Sequence, residues 1–138
     1  MSSLKFTGTS MLFVNSANCV LLFLRDDINT IPYPNCWDIP GGRVEAGESP
    51  EECIVREMRE ELELALDSPQ LFRRYEFPER YEYTFWQSAD FNLATMRLHE
   101  GQFLKWFSED DIRQMPDEGL AFNFKSVLLD FFKERPWV

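Results

Sequence analysis

The sequence predicts a single mixed α/β domain, and three observations carry that prediction. Short β-prone runs near both ends of the chain alternate with stretches of helical periodicity. The stretch after Glu48 opens with a full set of helix-start signals. Hydrophobic residues make up 44% of the 138 positions, with thirteen Phe and four Trp among them, which is enough to fill one core. No linker, repeat or low-complexity tract interrupts the chain, so residues 1–138 read as one domain.

In chain order, Met11 to Val14 and Cys19 to Leu24 are apolar and β-prone, with the turn-forming Asn15-Ser16-Ala17-Asn18 between them. They read as neighbouring strands of a hairpin. Arg25 to Asn35 is polar, contains Pro32 and Pro34, and reads as an exposed loop. Trp37 to Gly42 reads as a short strand entering a glycine turn. Ser49 then suits an N-cap, Pro50 the first helical position, and Glu52 completes a capping box. Ile54, Val55, Met58 and Leu62 recur at helical spacing, so a helix over Pro50 to Leu62 has one apolar side.

Gln70 to Phe77 and Arg80 to Gln87 read as strands, the second alternating Tyr81, Tyr83 and Phe85 against Glu82, Thr84 and Trp86. Gln102 to Phe107 reads as another strand. Ser108 suits the cap of a short helix through Gln114, and Leu120 to Lys133 reads as a final amphipathic helix.

Composition excludes some functions. A net charge of −10 argues against a duplex nucleic-acid surface, which needs clustered Lys and Arg. A divalent cation between two sets of negative charge would still let such a protein hold a polyphosphate. The longest apolar run, Val20 to Leu24, is too short to cross a bilayer, and no signal-peptide pattern opens the chain. Cys19, Cys36 and Cys53 are odd in number and lack CxxC spacing, so they read as buried free thiols. The expected setting is cytoplasmic, without a membrane.

The chemistry concentrates between Gly41 and Leu64. Glu57, Glu60 and Glu61 stand at i, i+3 and i+4, a spacing that sends three carboxylates toward one helix face. Within Glu48 to Glu63 the acids Glu48, Glu51, Glu52, Glu57, Glu60, Glu61 and Glu63 meet only Arg56 and Arg59. A hard cation with oxygen ligands, such as Mg²⁺ at about 2.0–2.1 Å, would relieve that repulsion and recruit substrate phosphates. An isolated Glu-rich helix is more often a solvated face. The adjoining Gly-Gly, and Arg56 placed to pair with Glu48, weigh against that here.

Gly42, five residues, Glu48, seven residues, then Arg56-Glu57-Met58-Arg59-Glu60-Glu61 resembles the signature of the Nudix hydrolases, G-x5-E-x7-R-E-U-x-E-E-x-G-U with U bulky and aliphatic. One specified position departs, because Glu63 stands where the pattern has Gly. A Gly would end the helix in the left-handed conformation, which costs other residues roughly 1 kcal/mol. The helix is therefore expected to run on toward Leu66 or to end in another cap.

The resemblance implies an α/β/α sandwich with a mixed sheet, and hydrolysis of a nucleoside diphosphate linked to another group with Mg²⁺ or Mn²⁺. It implies Glu57, Glu60 and Glu61 as metal ligands with a carbonyl of Gly42 or Gly41, and Arg56 with Glu48 as a brace. A nucleoside triphosphate giving monophosphate and pyrophosphate is the first expected substrate. A nucleotide-sugar or dinucleoside polyphosphate is the alternative, and a non-catalytic nucleotide sensor is a third reading that the intact carboxylates oppose. A homodimer is an assembly common among relatives of this size.

Outside the box, His99-Glu100-Gly101-Gln102 resembles the late loop of MutT-type members, which implies Glu100 as an added ligand or general base. Asn123 resembles a position that meets a purine edge in some of them, since an amide donates and accepts together. Arg25, Arg73, Arg74 and Arg80 are candidates for phosphate contact, with Arg25 preferred. His99, the only histidine, has no second nitrogen ligand near it and reads as a loop residue. Phe122 and Phe124 read as core first and as a base-stacking platform second.

Overall fold

A computed structural model describes residues 4–138, so residues 1–3 of the expected domain lie outside the description. In chain order the strands are β1 (Phe6–Val14), β2 (Val20–Leu24), β3 (Trp37–Asp38), β4 (Gly41–Arg43), β5 (Gln70–Glu76), β6 (Arg80–Ser88) and β7 (Leu104–Phe107). The helices are α1 (Pro50–Leu62), α2 (Glu109–Gln114) and α3 (Phe124–Glu134). The strands join in one mixed sheet of order β3-β2-β1-β6-β5, with β4 added to β1 and β7 to β2. Among the described strands β1 and β6 pair in parallel, from Phe6 opposite Arg80 to Val14 opposite Ser88, and the other strand pairs are antiparallel.

Both faces of this sheet are covered. Met11 and Phe13 point to one side with Leu21 and Phe85, where Ile54, Met58 and Leu62 of α1 pack on them. Leu12, Val14, Val20 and Leu22 point to the other, beneath Val127, Leu128 and Phe131 of α3. Strands buried on both faces read as continuous apolar runs, which is why these two segments stand out in the sequence. The result is the expected α/β/α sandwich.

Four expectations change. β1 begins at Phe6 instead of Met11, because Thr7 to Ser10 gain partners in β4 and β6 that no local pattern announces. Gly41 and Gly42 sit in strand β4 and make no turn there. A Cβ on Gly41 would lie 2.0 Å from the Thr9 carbonyl oxygen, so glycine serves close approach of backbone to backbone. The last helix starts at Phe124 instead of Leu120, since Phe122 and Asn123 hold left-handed φ of 54° and 63°. In β6 the polar residues Arg80, Glu82 and Thr84 are buried while Tyr81 and Tyr83 are only half-buried, and the expected alternation breaks at Phe85, which is buried beside Thr84.

Candidate active site

The site is built on α1, and its start follows the sequence closely. The Ser49 hydroxyl accepts the Glu52 N–H at 3.1 Å, and the Ser49 N–H donates to Glu52 Oε1 at 2.9 Å. This closed box satisfies two backbone donors and fixes where the helix begins. The helix ends at Leu62, and Glu63 itself takes the left-handed position at φ 54°. Extension to Leu66 does not occur. Glu63 N–H bonds the Arg59 carbonyl at 3.1 Å and Leu64 N–H the Met58 carbonyl at 3.1 Å, so the last turn is closed despite the missing glycine.

Arg56 braces this frame. Its Nε and Nη2 grip Glu48 at 2.7 and 3.0 Å, and Nη1 reaches Glu57 at 2.8 Å and Glu60 at 3.2 Å. Glu48 also accepts the Glu45 N–H at 3.0 Å, so the loop before α1 is tied to the helix by one forked guanidinium. Arg56 and that amide hold the Glu48 carboxyl down at about 2. The Arg56 guanidinium is correspondingly pushed up by Glu48 and Glu57.

A cavity of about 390 Å³ opens beside the helix. Glu57, Glu61, Glu100, Gly41 and Gly42 line one end, and Phe6, Arg80, Glu82, Phe122 and Phe124 line the rest with Arg25 and Asp38. Successive α-helical residues turn by about 100°, so Glu61 and Glu60 lie on either side of Glu57 and about 100° from each other. Glu60 accordingly borders a more open groove on the outer side of α1, where its carboxylate is 60% exposed. The structure thus brings Glu57, Glu61 and Glu100 together and leaves Glu60 at the rim, joined to them through Arg56.

The acidic end is crowded. Burial first, and then hydrogen bonding and charge from Glu57 and Glu100, push the Glu61 carboxyl well above the usual range. Such crowding is what a divalent cation with oxygen ligands relieves. The donor set therefore fits Mg²⁺ or Mn²⁺. Among the described residues no group of three His, Cys, Asp or Glu side chains is already closed on a metal position. The Gly42 carbonyl accepts the Thr9 hydroxyl at 3.0 Å, and a Cβ on Gly42 would fall 2.2 Å from Glu57 Cδ. Glycine at 42 is what lets Glu57 lie against the strand.

Sequence reasoning missed the polar wall opposite. Arg25 Nη1 donates to Asp38 Oδ2 at 2.8 Å, and Ile39 N–H donates to Asp38 Oδ1 at 2.8 Å. Burial pushes Asp38 up to about 7 against these partners. Arg80, 2% exposed, donates from Nε to Glu82 at 2.7 Å, from Nη2 to the Phe122 carbonyl at 2.8 Å, and from Nη1 to Glu79. The signal was the i, i+2 spacing of Arg80 and Glu82, masked by the tyrosines between and after them.

The remaining candidates fall elsewhere. Asn123 borders a separate cleft with Tyr33 and Lys125, and does not line the cavity that holds Glu57 and Glu61. Its left-handed backbone, which delays the helix start, carries it to that side. Arg73 pairs with Asp130 and Glu134 of α3, away from the site. Arg74 covers the Tyr81 ring at 4.4 Å. All three cysteines are free, but only Cys53 is buried; Cys19 and Cys36 are half-buried.

The sandwich and its acid-lined cavity are those of a fold and site that comparison with known proteins places among hydrolases of phosphoanhydride bonds. The family model of the NUDIX domain matches residues 5–129. The chain is 30% identical over 122 residues to the ADP-ribose pyrophosphatase of Methanocaldococcus jannaschii, covering 87% of this chain and 69% of that protein. It is 35% identical over 83 residues to the CTP pyrophosphohydrolase of Escherichia coli, covering 58% of this chain and 61% of that one. The MutT protein structure from Methanosarcina mazei superposes with a TM-score of 0.73 at 23% identity, covering 99% of each chain. The chain belongs to the Nudix hydrolase family. No helix among the described residues is long and apolar enough to cross a membrane.

Proposed function

We propose that the chain is a divalent-metal-dependent pyrophosphohydrolase of a nucleoside diphosphate linked to another group, first of all a nucleoside triphosphate cleaved to monophosphate and pyrophosphate. The observation that carries this reading is one cavity with converging Glu57, Glu61 and Glu100 at one end and an aromatic, hydrogen-bonding wall at the other. Phosphates suit the first end and a base the second.

Glu57, Glu61, Glu100 and a carbonyl of Gly41 or Gly42 would hold Mg²⁺ or Mn²⁺. Bound there, the ion supplies charge neutralisation at the phosphoryl oxygens and a more acidic water. The chain's own residues position and polarise. Glu100, on a loop facing α1, serves as acceptor for the proton of the attacking water. Arg56 sets the Glu57 carboxylate and, with Glu48, holds the loop and helix in register. Glu60 acts through Arg56. In-line departure of the second phosphate then needs little covalent chemistry from the protein.

A sugar-linked nucleoside diphosphate is the second reading, favoured by the ADP-ribose pyrophosphatase that matches most of this chain. The free cysteines suit a reducing, cytoplasmic setting. A panel of nucleoside triphosphates, nucleotide-sugars and dinucleoside polyphosphates with Mg²⁺, Mn²⁺ or chelator tests the reaction. Metal-dependent release of a nucleoside monophosphate is expected. Tight nucleotide binding with no turnover across the panel would make the chain a sensor instead.

A further inference from the structure

The wall opposite the metal end holds a buried carboxylate oxygen with no hydrogen-bond partner within bonding geometry. Glu82 is 3% exposed, its Oε1 accepts Arg80 Nε at 2.7 Å, and its Oε2 has no hydrogen-bond partner. A buried acceptor left unmade costs about 1–3 kcal/mol, and more when it carries charge. Burial pushes the Glu82 carboxyl up, while Arg80 and the Ser10 hydroxyl, itself 2.8 Å from Thr84 Oγ1, pull it back toward the charged, accepting form. Glu82 borders the same cavity as Glu57 and Glu61.

The donors nearest Glu82 are engaged, while Arg25 Nη2 and the Arg43 guanidinium, farther along the cavity, are left for other groups of a ligand. Arg80 gives its three nitrogens to Glu82, Glu79 and the Phe122 carbonyl. Arg25 gives Nε to the Pro32 carbonyl at 3.0 Å and Nη1 to Asp38. The capacity left at Glu82 itself is acceptor capacity, and a ligand group placed against it must bring an N–H. The strand register makes the room: Gly8 lies opposite Glu82, and a Cβ on Gly8 would stand 2.8 Å from Glu82 Oε1.

We infer that Glu82 is a specificity-determining residue, whose free carboxylate oxygen accepts the exocyclic amino group of the substrate's base and selects amino-bearing over keto-bearing nucleotides. This rests on the pyrophosphohydrolase reading of the same cavity. Cytosine and uracil form a matched pair for the idea, as do adenine and hypoxanthine, since each pair exchanges an amino donor for a carbonyl acceptor. A carbonyl facing Glu82 Oε2 would leave the orphan unsatisfied and add repulsion.

Two readouts on one set of ligands test it. Calorimetric binding of CMP against UMP and of AMP against IMP needs no turnover, and kcat/KM for the corresponding triphosphates follows the reaction. Wild type is expected to favour the amino member of at least one pair about tenfold or more. Glu82→Gln, which can turn an amide N–H toward a carbonyl, should erase or invert that preference. Gly8→Ala, which pushes on Glu82 without removing it, should reduce the preference even if the Gln variant fails to fold. A wild type that binds neither member, or both equally, overturns the inference, as does a preference kept in the variants that fold. Turnover absent throughout, with the amino preference in binding intact, would instead sink the hydrolase reading and leave Glu82 in its role.

Discussion

His99 Nε2 lies 2.6 Å from Glu63 Oε2, joining the chain's only histidine to the residue that replaces the motif glycine. The His99 N–H also donates to the Glu61 carbonyl at 2.9 Å. The loop carrying Glu100 is therefore pinned twice to the end of α1, next to Glu61. The departure from the motif gives the late loop an anchor that glycine would lack.

Glu63→Gly separates the two consequences of that exchange. It relieves a left-handed non-glycine residue, so stability should rise by roughly 1 kcal/mol. It also removes the anchor, so kcat should fall about tenfold through a displaced Glu100. His99→Ala should lower kcat similarly, with a stability change below about 1 kcal/mol because the pair is exposed. Unchanged kcat in both variants, from steady-state kinetics beside thermal melts, would remove the anchor from the account.

Gly41 and Gly42 should fail in different ways. A Cβ at 41 meets the Thr9 backbone at 2.0 Å, so Gly41→Ala must distort the sheet and destabilise by about 1–3 kcal/mol. A Cβ at 42 meets the movable end of Glu57 at 2.2 Å. Gly42→Ala should therefore keep the fold and lose activity. Urea unfolding and turnover measured on both variants check the contrast; equal stability loss in the two would contradict it.

Much of this was legible because it is local. The cap of α1, its apolar face and the Glu48–Arg56 brace depend on residues within a few turns of each other, and the structure keeps them where the pattern put them. Asp38, Arg80 and Glu82 were not legible as a wall, since their burial depends on β1, β3 and β6 coming together from distant parts of the chain. Thr7 to Ser10 carries no apolar run, so the first strand reads only from Met11, although β4 and β6 extend it back to Phe6. Helical spacing placed Glu57, Glu60 and Glu61 on one side of α1, but it could not show that Glu60 stands at the rim, since that depends on which strands and loops wall the cavity.

Stability should carry an imprint of the buried Asp38 carboxyl. Burial raises the folded-state value to about 7, so folded chains hold more protons there than unfolded chains over the window between. The contribution is fully present below the unfolded value, near about 4, and is lost as pH rises through about 7. Glu48 runs oppositely: held at about 2, its contribution is present above its unfolded value and lost as pH falls through about 2. Denaturant titrations from pH 5 to 8 should show stability declining with pH more steeply in wild type than in Asp38→Asn. Parallel curves would contradict the raised value.

Arg56→Lys keeps the charge and loses the fork that holds Glu48, Glu57 and Glu60 together. Both the melting temperature and kcat should drop, the latter about tenfold or more as Glu57 loses its bearing. Wild-type kinetics in this variant would show that charge alone suffices.

The central claim is that Glu57, Glu61 and Glu100, on one cavity, hold the metal and the reacting phosphates, while Glu60 assists from the rim. Its most direct test is the rate of nucleoside monophosphate release from a nucleoside triphosphate with Mg²⁺, compared between Glu61→Gln and Glu60→Gln. The account predicts loss of about a hundredfold or more for Glu61→Gln, and a distinctly smaller loss for Glu60→Gln. Full activity in Glu61→Gln, or a larger loss in Glu60→Gln, would contradict it.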